Sequence, residues 1–271
     1  KRLGLIQKPM MVVPNHMLKQ FSSEWMDLYQ AARLMVADET SFTGDNRRRF
    51  VARAALSDLD GVIITHSAFK LLDLDPAFKQ RMIEEQLEYL RAALKEVGAD
   101  AEKKHENGKP KSRDPKVKQI ERKIERWEQK LEALTSSEGK DTNVRFDEMG
   151  VDMLYVDEAH EFRKLEFTTQ RQVKGIDSGG SDRAFDLNMK VQWLRENKNP
   201  KRNLVMASGT PVTNTLAEIY SVQRFMAPDV LAERGLEEFD QWASMFGAES
   251  TNIEPDASGK YGPVTRFNKF V

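Results

Sequence analysis

Apolar residues fall into short clusters separated by charged stretches, and their period changes along the chain. Residues 10–14, MMVVP, form an unbroken apolar run closed by Pro14, the pattern of a strand buried on both faces. Met17, Phe21, Trp25 and Leu28 recur at helical spacing and predict a helix over 16–29. A short strand is expected at 34–37, a helix over 45–57 and a third strand over 61–69, GVIITHSAF. Strands alternating with helices argue for an α/β fold, a parallel sheet with helices on both faces.

The period then shifts. Ile83, Leu87, Leu90, Leu94 and Val97 alternate steps of four and three, and so do Val117, Ile120, Ile124, Trp127, Leu131 and Leu134. The residues between, 98–114, are polar and contain Gly and Pro. Two narrow seams bury each other when folded face to face, so 75–135 reads as an inserted antiparallel helical hairpin. Such a hairpin is either a solvated spacer or an arm touching DNA or a partner.

Strand-like clusters resume with VDMLYV (151–156) and NLVMASGTP (203–211), with a loop over 166–181 between them. Helices are expected over 184–196, capped by Ser181 or Asp182, from 214 or 215 to 226, stopped by Pro228, and over 236–247. Blocks 1–74 and 136–247 would then form one α/β lobe, and 248–271 a loop or linker. Phe185, Met189 and Trp193 share one helical side and read as core.

Two of the strands end in chemistry. The fourth runs into Asp157, Glu158, Ala159 and His160. Open parallel sheets collect functional groups at the carboxyl ends of their strands. One carboxylate there can hold Mg²⁺ beside a nucleotide's phosphates, and a second can orient the attacking water. The fifth strand ends in Ser208, Gly209, Thr210 and Pro211. The hydroxyls can bond His160 or the acids, Gly209 permits a tight turn, and Pro211 can begin a helix. A metal-dependent hydrolase using Asp157, Glu158 and His160 is the weaker alternative, because residues so close on a strand end cannot all face one ion unaided. His16, His66 and His105 show no ligand spacing.

Charge and cysteine usage narrow the partners. The net charge is −1, so any nucleic-acid contact must be a local patch rather than a global basic field. The Arg47–Arg49 triplet is a candidate phosphate contact, although such a triplet is more often a solvated helix start. No cysteine is present, which excludes disulfides and thiolate chemistry and suits a reducing, cytoplasmic setting. No apolar run approaches the ~18–20 residues a membrane span needs. The N-terminal KRLGLIQKPMMVV has no signal-peptide architecture, lacks an initiator Met and starts close to a core strand, so a fragment of a longer chain is expected.

These residues carry a resemblance. VDEAH resembles motif II of the superfamily 2 helicases, the Walker B strand with a DEAH box. SGTPVTNTLAEIYSVQRFM is similar to motif III and its helix in the Swi/Snf-type translocases of double-stranded DNA, Pro211 and Asn214 matching the T-P-x-x-N pattern. MMVVPNHMLKQFSSEW resembles motif Ia and GVIITHSAF motif Ib. Their order is the family's, and the wording is most similar to large helicase–methylase proteins of phages and mobile elements.

The resemblance implies a RecA-like first motor lobe acting with ATP and Mg²⁺ on DNA, duplex by the motif III wording, beside a second lobe of the same polypeptide. Asp157 would hold Mg²⁺, Glu158 the water, and His160, Ser208, Gly209, Thr210, Pro211 and Asn214 would couple hydrolysis to lobe movement. Pro14, Asn15, His16, Thr65, His66 and Ser67 would track the nucleic-acid backbone.

One part is missing. The phosphate-binding pattern G-x-x-x-x-G-K-[ST] does not occur, since the GK pairs at 108, 139 and 259 are followed by Pro, Asp and Tyr. In the family the loop precedes motif Ia by one helix, so residues 1–8 are expected as the end of that helix. The intact protein is expected to hydrolyse ATP and this chain alone is not. A degenerate, non-catalytic lobe binding a partner through its hairpin is the alternative.

Overall fold

The structure is a computed structural model. It describes all residues except 2, 44–45, 106–114, 137–144, 172, 175, 213–214, 256–258 and 271.

The elements run in chain order as β1 (Pro9–Val13), α1 (Leu18–Leu28), β2 (Leu34–Ala37), α2 (Asn46–Leu56), β3 (Gly61–Thr65), α3 (His66–Phe69), α4 (Pro76–His105) and α5 (Pro115–Ser136). Then follow β4 (Met153–Val156), α6 (Asp182–Asn197), β5 (Leu204–Met206), α7 (Ala217–Met226), α8 (Pro228–Glu233), α9 (Phe239–Phe246), β6 (Gly247–Pro255) and β7 (Tyr261–Phe270).

Five strands form a parallel sheet in the order β2-β3-β1-β4-β5, a RecA-like arrangement. β1 and β3 lie inside it and are buried at every position, which is why they read as continuous apolar runs. Alternation divides their side chains between two faces. Met10, Val12, Val62 and Ile64 join the large core with Phe50 of α2 and Leu187 of α6. Met11, Val13 and Ile63 face the other way, under Leu18, Phe21 and Trp25 of α1.

The hairpin forms as the seams predict. Ile83, Leu87, Leu90 and Val97 of α4 meet Ile120 and Trp127 of α5 in a separate core. It is also seated on the lobe. The Trp127 ring packs on Phe185 of α6 at 4.3 Å between centroids, and Arg81 pairs with Glu196 at 2.6 Å.

Several expectations need correction. Residues 61–69 are not one strand. The Thr65 hydroxyl accepts the Ala68 N–H at 3.2 Å and starts α3, so the strand stops where a side chain caps a helix. The fifth strand ends at Met206, and α7 begins at Ala217 rather than at Pro211 or Thr215. No helix forms at the described residues among 1–8. The Gln7 and Lys8 amides donate instead to the Asp152 carboxylate at 2.6 and 2.9 Å, and Lys8 Nζ caps the Ala54 carbonyl of α2 at 2.5 Å.

The tail is not a loop either. β6 and β7 pair antiparallel from Gly247↔Phe270 to Pro255↔Tyr261. Its strands carry polar residues on both faces, so they lack an apolar alternation. Cross-strand pairs hold them: Thr251 with Thr265 at 2.9 Å, and Glu254 with Arg266 through two 2.8 Å bonds. Phe267 anchors the ribbon in a satellite core of Phe167, Tyr220, Phe239 and Trp242. Among the described residues no helix is long and apolar enough to cross a membrane.

Candidate functional site

The acid pair sits at the carboxyl end of β4, inside the sheet between β1 and β5. The turn is held from both neighbours. The Asp157 amide donates to Val12 of β1 at 2.9 Å, and the Ala159 amide to Ala207, just past β5, at 2.8 Å. From below, the buried His66 ring donates its Nε2–H to the Asp157 carbonyl at 2.9 Å and packs edge-on against Phe162 at 5.2 Å.

Glu158 has φ 49° and ψ 46°, and it is the one non-glycine residue with positive φ among those described. A left-handed conformation costs an L-residue roughly 1–2 kcal/mol. Three backbone and ring contacts over-determine the turn around it, so the strain persists. Glu158→Gly is expected to raise unfolding free energy by about 1 kcal/mol while removing the carboxylate. Chemical denaturation checks it, and a loss of stability would contradict the strain.

The turn aims Glu158 at His160. His160 Nδ1 lies 3.0 Å from Glu158 Oε2 and 3.2 Å from Ser208 Oγ, so one ring N–H faces both a carboxylate and a hydroxyl. Ser208 Oγ also accepts the Thr210 N–H at 3.1 Å, which holds the SGTP turn. Asp157 is half-buried, and among the described residues its carboxylate has no hydrogen-bond or ion-pair partner.

The other candidate residues divide by position. Asn15 and Ser67 meet at the carboxyl ends of β1 and β3, where the Ser67 hydroxyl donates to Asn15 Oδ1 at 2.9 Å. Pro14 is half-buried and His16 exposed beside them. Thr65 and His66 are buried and support this edge from within. Gly209, Thr210 and Pro211 are exposed, and Asn214 lies outside the described residues. Among the described residues no three His, Asp or Glu side chains are grouped to hold a metal ion.

Two contacts escaped the sequence. Arg163, just after the acid turn, pairs with the buried Glu218 of α7 at 3.0 Å, and so joins the fourth strand's exit to the helix after SGTP. Arg183 of α6 pairs with Glu161. The available signal was Glu218, an acid placed among the apolar positions of an amphipathic helix.

Burial lowers the His66 pKa below its ordinary 6.5, against a smaller upward pull from the Asp157 carbonyl. The folded state therefore prefers neutral His66. Its contribution is complete above about 6.5 and is lost as pH falls from there toward the lower folded value. His66→Gln is expected to flatten the fall in unfolding free energy between about pH 7 and 5. An unchanged slope would show that other groups carry it.

A RecA-like sheet with an acid pair at the end of an interior strand defines an α/β domain of helicase type. The chain belongs to the family described as "probable helicase domain", whose model matches residues 1–271. A search of curated proteins found no match.

Proposed function

We propose that this chain is the first motor lobe of an ATP-dependent DNA translocase, a superfamily 2 helicase with a DEAH box and a Swi/Snf-like motif III. One observation carries it: a strained turn presents Glu158 to His160, and His160 bonds Ser208 at the end of the next strand. An acid that positions water is thereby tied to a neighbouring strand end, which is what coupling hydrolysis to movement requires.

The residues fit the metal half of such a site. Mg²⁺ keeps several waters and takes one or two protein carboxylates beside substrate phosphates, and Asp157 offers an uncommitted one. Bound there, Mg²⁺ would neutralise phosphate charge. Asp157 would hold it, and Glu158 would orient the water. The residues do not supply the phosphate cradle, since the chain has no G-x-x-x-x-G-K-[ST] pattern. ATP binding is therefore proposed for the intact protein.

The DNA track would run over Asn15, His16 and Ser67, with Pro14, Thr65 and His66 fixing that edge. These contacts position a backbone without reading sequence. A second lobe would close the site from the other side. DNA-stimulated ATP hydrolysis by the intact protein tests the proposal, and its absence would favour a non-catalytic lobe that binds a partner through its hairpin.

A further inference from the structure

The sheet's other edge is open. β2 is the terminal strand, and among the described residues no strand covers its outer side. The Asp60 amide donates to the Arg33 carbonyl at 2.8 Å, so Arg33 faces β3. Alternation along the strand then turns the N–H and C=O groups of Leu34 and Val36 outward. Val36 is 43% exposed, an apolar side chain on an unpaired edge.

A groove flanks this edge on each face of the sheet. On the α1 side it measures about 600 Å³ and is lined by Met26, Ala32, Leu34 and Val36, with Lys19, Ser22 and Ser23 at its rim. On the α2 side it measures about 380 Å³, with Met35 and Phe50 beside Thr40, Ser41, Arg49 and Arg53. The hydroxyls of Thr40 and Ser41 already donate to Asp38. Asn46 also lines this side, and its cations are the two guanidinium groups, which have no acidic partner among the described residues. They stand four apart on α2, where like charges repel at a cost to the helix.

We propose that the β2 edge docks an extended peptide segment in which apolar and acidic residues alternate. An added strand would take main-chain hydrogen bonds from Leu34 and Val36. Its side chains would point alternately to the two faces. Those on the α1 side would lie over Met26 and Val36, and those on the α2 side would meet Arg49 and Arg53. A carboxylate is the group that matches a guanidinium fork there.

The test uses the whole 271-residue chain and a fluorescein-labelled Val-Glu-Val-Glu-Val-Glu peptide, followed by fluorescence anisotropy. The same peptide with Lys in place of Glu is the control. Saturable binding of the Glu peptide alone is expected. Arg49→Glu with Arg53→Glu should weaken it at least about tenfold and transfer preference to the Lys peptide. Val36→Pro removes an outward N–H without touching the β3 ladder, and should weaken binding by a similar factor. Because the charge-reversed variant gains a ligand, misfolding cannot imitate the result. Three outcomes would overturn the proposal. One is equal binding of both peptides, and another is no saturation below about 1 mM. The third is a charge reversal that abolishes binding of a single-stranded oligonucleotide and spares the peptide, which would assign the arginines to nucleic acid.

Discussion

Replacing Glu158 by Gln in the intact protein is expected to lower DNA-stimulated ATP hydrolysis by about 10²–10⁴-fold, the range a positioned acid–base group supplies. The amide keeps the size of the side chain and retains an oxygen for the His160 N–H, which lies 3.0 Å from Glu158 Oε2. It cannot accept a proton from water. Nucleotide binding should therefore survive the substitution, because Asp157 is the residue proposed to hold Mg²⁺. Asp157→Asn should lose nucleotide affinity as well as turnover. His160→Ala should leave a measurable basal rate and remove most of its stimulation by DNA, since His160 joins Glu158 to Ser208. Steady-state turnover with and without DNA separates the three variants. Equal turnover in wild type and Glu158→Gln would remove the acid pair from the chemistry. The non-catalytic alternative would then be favoured, with Glu158 an acid in a strained turn.

What could be read in advance followed the local pattern. The apolar runs at 10–13 and 61–64 marked strands buried on both faces, and seams of fours and threes marked α4 and α5. The proposed catalytic residues were visible because strand ends in parallel sheets are predictable places for chemistry. Backbone conformation was not visible: nothing in the letters DEAH marks Glu158 as left-handed. The inward turn of His66 was also hidden, since its partner, the Asp157 carbonyl, is 91 residues away. The ribbon of β6 and β7 was missed because cross-strand polar pairs, not apolar alternation, hold it together. Lys123 sat between Ile120 and Trp127, on the buried side of its seam, and this was the one available hint that the hairpin docks on the lobe.

That docking has a measurable consequence. Glu166 is 4% exposed, six residues beyond His160, and its carboxylate accepts from Trp127 Nε1 at 2.7 Å and from Arg126. Its carbonyl accepts from Arg224 of α7 at 2.7 Å. One residue beyond, the Phe167 carbonyl takes Lys123 Nζ at 2.9 Å, and the same ammonium reaches the Ser178 carbonyl at 2.9 Å. Gly180 closes the other side so tightly that a Cβ there would stand 2.7 Å from Glu166 Cβ. The hairpin and the helix after SGTP thus grip one short stretch that leads out of the acid turn. Glu166→Ala would leave the Trp127 N–H without its acceptor and Arg126 without its counter-ion. Leaving a buried donor without its acceptor costs about 1–3 kcal/mol. The Arg126 side chain is 43% exposed and can turn to water, so the stranded Trp127 N–H carries most of the expected loss, about 2 kcal/mol. Glu166→Gln keeps an oxygen for Trp127 and should lose about half as much. Denaturant unfolding of the three proteins measures both. A loss under about 1 kcal/mol from Glu166→Ala would mean that the hairpin is a free arm resting on the lobe. A loss near 2 kcal/mol makes it a structural part of the α/β lobe, held through Glu166 to the stretch that leads out of the acid turn.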